Sequence, residues 1–115
     1  MNVDKTIVLD TQFAHFTHRK HINAILDEGI TPSEGNLGEG VYCVLAADKK
    51  SRKLLVDTLT EIHDCEKEDL VGFVFSYTGK CVMFDPTDSG FLDCMWYALP
   101  KKVEPKLLTH YIDVE

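Results

Sequence analysis

No apolar run in this chain approaches the roughly 20 residues needed to cross a bilayer. The first residues, Met1 to Asp10, lack a basic stretch followed by an apolar one, so no secretory signal is visible. The expectation is a cytoplasmic protein without a membrane partner. None of the four cysteines, Cys43, Cys65, Cys81 and Cys94, forms a C-x-x-C pair, and none stands at zinc-type spacing from a histidine cluster. Reduced thiols are expected, three of them in apolar runs as small core residues. Repeats, low-complexity stretches and linkers are lacking. Positive charge is also scarce. Twelve Lys and Arg face 19 Asp and Glu, a net charge of −7. Such a surface repels polyanions and excludes a general nucleic-acid binder.

What is present describes one ordinary globular unit. The chain has 115 residues, 44% hydrophobic and 27% charged, which excludes disordered, collagen-like and coiled-coil chains. We treat residues 1–115 as a single domain. Area scaling predicts that about two-thirds of the unfolded surface is buried, enough for one core and not two.

Hydrophobic periodicity predicts short strands at Thr6 to Asp10 and Gln12 to Thr17. It predicts a helix from Arg19 to Glu28, capped by Thr17 or His18 and stopped by Gly29. Thr31 to Gly40 reads as a loop, Val41 to Ala46 as a buried strand, and Asp48 to His63 as a longer helix burying Leu55, Leu59 and Ile62. Val71 to Tyr77 then places Val71, Phe73, Phe75 and Tyr77 on one face. Thr78-Gly79 reads as a hairpin turn into Lys80 to Asp85, and Asp85 to Gly90 as a further turn. Asp93 to Leu99 and Leu107 to Val114 complete the strands. Strands gathered in the second half predict an α+β fold with an antiparallel meander.

The stretch from Phe13 to Leu45 carries the strongest pattern. A strand ending His15-Phe16-Thr17 precedes a helix, then Gly29-Ile30-Thr31-Pro32, then Gly38-Glu39-Gly40-Val41-Tyr42 entering a second strand. This order resembles the front half of the ADP-ribosyltransferase fold of poly(ADP-ribose) polymerases and small bacterial transferases. The resemblance covers about thirty residues; the remainder matches in order and length only. It implies a split antiparallel sheet with two main helices and NAD⁺ as substrate, without a metal. NAD⁺ loses nicotinamide through an oxocarbenium-like state, as in glycoside hydrolysis. By resemblance, His15 bonds a ribose hydroxyl, while Phe16 and Thr17 hold neighbouring hydroxyls. Tyr42 stacks on the pyridinium, a cation–π contact of about 0.5–2 kcal/mol. Gly38 and Gly40 let the backbone approach the ligand, and Ser51 lies one residue out of register from a serine that touches nicotinamide.

The acid of this family departs from the pattern. Many members carry Glu at the start of a late strand, where it stabilises the developing cation. Counting back from Pro100 puts Trp96 or Met95 at that place. Asp93 is the nearest acid and the first choice, with Asp85, Asp88 and Glu104 as alternatives.

Other patterns are weaker. His15, His18 and His21 are spaced by three, but no nearby carboxylate or Cys completes a zinc set. His63-Asp64-Cys65 brings a thiol beside an imidazole, yet adjacent residues rarely face one substrate. Lys49, Lys50, Arg52 and Lys53 crowd a helix N-terminus, where the dipole disfavours cations. They read as a solvated face, or as contacts to the NAD⁺ pyrophosphate or to a polyanionic target. Trp96 reads as core, or as a plug where the acid belongs. Three functions follow from the resemblance. The first is an ADP-ribosyltransferase or NAD⁺ glycohydrolase acting on an unidentified acceptor. The second is an inactive binding protein that inhibits or adapts a protein partner. The third is transfer of an RNA 2′-phosphate to NAD⁺, ranked last because Arg19 and Arg52 are the only arginines.

Overall fold

The computed structural model describes residues 5–35, 38–84 and 96–113. The chain is α+β, a mostly antiparallel sheet with two helices. Its first strand, β1 (Lys5–His18), is followed by a 3₁₀ turn at Arg19–His21 and by helix α1 (Ile22–Glu28). A short β2 (Ser33–Gly35) forms a hairpin with β3 (Gly38–Leu45), and helix α2 (Lys49–His63) follows. A 3₁₀ turn at Lys67–Asp69 leads into β4 (Leu70–Phe84). Strands β5 (Trp96–Leu99) and β6 (Leu108–Asp113) close the described chain.

Two expectations are corrected by one pairing. The separate strands Thr6 to Asp10 and Gln12 to Thr17 are a single β1. The hairpin at Thr78-Gly79 is absent, because β4 runs straight through it. β1 and β4 pair antiparallel in one register, from Lys5 opposite Met83 to His18 opposite Leu70. Thr78 lies opposite Asp10, whose carboxylate accepts a 2.8 Å bond from the Thr78 hydroxyl. Gly79, at φ 148°, continues the strand opposite Leu9. Long-range pairing has overridden local turn chemistry.

The meander is also corrected. The sheet order is β1-β3-β5-β4-β6, and β1 also pairs with β4. The far edge of β4 therefore holds β5 at one end and β6 at the other. The turn expected at Asp85 to Gly90 and the first residues of the strand expected from Asp93 lie outside the described residues.

Strand alternation sorts the core onto two faces. Phe13, Cys43, Phe73, Phe75, Tyr97 and Leu99 pack on one, under Ile25 of α1. Ala14, Phe16, Val44, Leu70, Trp96 and Ala98 pack on the other, against Leu55 and Val56 of α2. Cys43 and Cys81 are buried free thiols, and Cys65 is a partly buried one. Cys94 lies outside the described residues. The buried stripe of α2 is shorter than expected: Leu55 is enclosed, while Ile62 is 59% exposed.

Helix α1 stops where Gly29 was expected to stop it. Gly29 has φ +88°, and its N–H bonds the Ile25 carbonyl at 2.8 Å. A Cβ there would run into the Val103 carbonyl oxygen. That carbonyl accepts from the Ile30 N–H at 2.9 Å, so the tight approach joins α1 to the segment before β6. Gly29→Ala is expected to lower stability by at least ~2 kcal/mol, through left-handed strain and displacement of this bridge. Urea denaturation measures it, and an unchanged midpoint would show that the turn relaxes freely.

No described helix is long and apolar enough to cross a membrane.

Candidate functional site

β1 and β3 are neighbours only briefly. They pair at Phe13 with Leu45 and at Ala14 with Val44, and then diverge. Past the divergence, the His15 Nδ1 lies 2.7 Å from the Tyr42 carbonyl oxygen. A side chain thus replaces the ladder bond that the parted strands no longer make, and the carbonyl keeps a donor.

A cleft of about 940 Å³ opens at this gap, with residues of α2 along part of its wall. His15, Phe16 and Thr17 of β1, Tyr42 of β3 and Trp96 of β5 all line it. The rings of Tyr42 and Trp96 have centroids 5.2 Å apart at 50°. Trp96 is packed to 4% exposure, which holds Tyr42 from behind. Desolvation raises the Tyr42 phenol above its ordinary value, so it remains a neutral donor. The opposite wall is apolar and comes from α2, through Leu55, Leu59 and Ile62. His18, Lys20, His21, Asp64, Glu66 and Asp69 supply the polar rim.

The tautomer of His15 follows from its partner. A carbonyl only accepts, so Nδ1 must carry the hydrogen. Burial lowers the pKa of the ring, opposed by the bond to Tyr42. The neutral ring therefore keeps its lone pair on Nε2, and His15 offers the cleft an acceptor. Its natural complement is a ligand hydroxyl.

The other residues expected at the site are placed differently. Gly40 meets strand β5: a Cβ there would stand 3.0 Å from the Ala98 Cβ and 3.3 Å from the Leu99 carbonyl oxygen. Its lack of a side chain lets β3 close on β5. Gly38 pairs with Gly35 in the β2–β3 hairpin. Ser51 is 3% exposed and does not line the cleft. Its hydroxyl donates 2.6 Å to Asp48, and its N–H bonds the same carboxylate at 3.1 Å, capping α2. These bonds hold the Asp48 carboxyl below its usual range. Glu104 is exposed at the start of the 3₁₀ turn before β6 and is not on the cleft wall. Asp93, Asp85 and Asp88 lie outside the described residues. None of Lys49, Lys50, Arg52 and Lys53 lines the cleft.

His63, Asp64 and Cys65 do line it. Desolvation first, and then the carboxylates of Asp69, Glu66 and Asp64, push the Cys65 thiol up. A thiol kept neutral is a poor nucleophile. Among the described residues no group of three or more His, Cys, Asp or Glu could hold a metal ion.

The carboxylates at the rim were not foreseen. Glu66 and Asp69 cap the 3₁₀ turn reciprocally, with the Glu66 N–H bonding Asp69 at 3.1 Å. The three-residue spacing of that box was a readable signal. Its position beside the cleft depends on where α2 ends.

Comparison of the chain with protein-family models, curated proteins and solved structures finds no match.

The lowered pKa of His15 has a stability consequence. Below its ordinary value of 6.5 the unfolded chain binds a proton that the folded chain resists. This contribution is present at neutral pH and is lost as pH falls below 6.5 towards the folded-state value. His15→Gln is expected to flatten that part of the acid limb in urea midpoints measured across mildly acid pH. Identical slopes in both proteins would show that the ring takes up its proton freely.

Proposed function

We propose that the cleft binds NAD⁺ and that the protein is an ADP-ribosyltransferase or NAD⁺ glycohydrolase. One observation carries the reading: His15 and Thr17 of β1 and Tyr42 of β3, 27 residues beyond His15, line one cleft together. The order of these residues along the chain resembles that family, and their chemistry suits the ligand. Tyr42, backed by Trp96, offers an aromatic face to a pyridinium cation. His15 accepts from a ribose hydroxyl through Nε2, and Thr17 adds a hydroxyl beside it. The apolar wall of α2 excludes water from the glycosidic bond. As that bond lengthens, positive charge grows on the ribose, and a carboxylate would stabilise it. Asp93 remains our first choice for that group.

Trp96 favours a second reading. It lines the cleft, and counting back from Pro100 puts Trp96 or Met95 where the resemblance expects the acid. An aromatic there retains stacking and supplies no charge. In this reading the protein binds the nucleotide, or a protein partner, without turnover.

Trp96 is the sole tryptophan of the chain, beside four tyrosines, so emission excited selectively at tryptophan reports on this cleft. Titration with NAD⁺ is expected to change its emission saturably. Tyr42→Ala is expected to weaken binding about two- to thirtyfold, matching ~0.5–2 kcal/mol of cation–π attraction. Chromatography of the same samples for free nicotinamide separates the readings. Release supports the enzyme, and binding without release supports the binding protein. No binding by calorimetry would sink the nucleotide site altogether.

A further inference from the structure

The apolar stripe of α2 outruns the sheet that covers it. Leu55, Leu59 and Ile62 follow one another at helical spacing along the cleft wall. Leu55 is 8% exposed and Leu59 partly exposed, while Ile62 stands 59% exposed.

Negative charge gathers where Ile62 emerges. Asp64 ends the helix in the left-handed conformation at φ 50°, and Glu66 and Asp69 follow in the next turn. All three carboxylates line the same cleft as Ile62. The C-terminus of α2 adds the negative end of the helix dipole. Among the described residues Lys20 is the one lysine lining this cleft, with His18, His21 and His63. Lys67 is drawn to Asp57 at 3.5 Å. The Arg19 Nε donates to the Glu68 carbonyl at 2.7 Å.

We propose that this corner docks a protein partner through an extended segment. That segment sets an apolar side chain on Leu59 and Ile62 and a lysine or arginine against Asp64, Glu66 and Asp69. Charge complementarity selects this occupant. An anionic membrane surface is repelled by the same carboxylates. A second copy of the chain brings its own net charge of −7, again the wrong sign. A bare cation would have no use for the apolar shelf. The cleft volume of about 940 Å³ is at the upper end of the ~300–1,000 Å³ usual for small-molecule sites. That leaves this corner accessible beside the aromatic pair. The proposal does not depend on NAD⁺ binding.

Fluorescence anisotropy with a short labelled peptide of alternating lysine and leucine tests it. The wild-type chain is expected to bind this peptide and to ignore the glutamate–leucine counterpart. Ile62→Ser, at an exposed position, is expected to weaken binding about tenfold, as its apolar area is lost. Asp64→Asn, which keeps the left-handed residue, is expected to weaken it severalfold and to reduce its salt dependence. Equal binding by wild type and Ile62→Ser would overturn the proposal, as would equal binding of both peptides. Self-association of the wild type that Ile62→Ser abolishes, seen by sedimentation, would assign the face to a second copy instead. Fluorescence titration of the wild type with NAD⁺ alongside keeps this result separate from the nucleotide reading.

Discussion

Pairing of β1 with β4 along the whole of both strands is the constraint on which the remaining structure rests. Their register decides which residues of each strand share a face. It puts Phe13 beside Phe75, with ring centroids 6.1 Å apart, and sends Ala14 and Phe16 to the face where α2 lies. It also leaves the other edge of each strand free for different partners. β3 takes that of β1, while β5 and β6 divide that of β4. A slip of one residue would exchange the two cores.

The cleft is the place where this economy of pairing fails. β3 cannot follow β1 past Ala14 and also close on β5 through Gly40. The strands part, and the Tyr42 carbonyl no longer meets a ladder donor from β1. His15 resolves this with its Nδ1–H. One bond therefore repairs the backbone and sets the tautomer of a ring that lines the cleft. Loss of a structural hydrogen bond and loss of an acceptor are coupled at this residue. Tyr42 is different, because its carbonyl serves the structure while its ring packs on Trp96 and lines the cleft.

Much of this was legible in the sequence, for identifiable reasons. The α+β class, the stop of α1 at Gly29 and the bounds of α2 all follow from local signals that the tertiary structure respects. The convergence of His15, Phe16, Thr17 and Tyr42 was legible as an ordered pattern. What could not be read was set mostly by partners distant in sequence, although the cap that Asp48 shares with Ser51 is local. Thr78-Gly79 has turn chemistry, yet Asp10 and Leu9 hold it extended. Ser51 has the spacing of a ligand contact, yet Asp48 takes its hydroxyl. Gly40 has the look of a ligand-facing glycine, yet Ala98 occupies the space beside it. Ile62 has core periodicity on a helix whose end passes beyond the sheet.

The β1–β4 ladder has a further consequence for the newborn chain. During synthesis β1 emerges well before β4, and its partner arrives only after both helices and β3 have been made. Until then a long strand with alternating apolar side chains is without the neighbour that completes it. Pairs so distant in sequence close slowly, because chain entropy must be surrendered before any contact rewards it. β2–β3 and the two helices are the pieces able to form early. The central sheet is therefore completed late, and until then β1 offers an unpaired edge to a chaperone or another nascent chain.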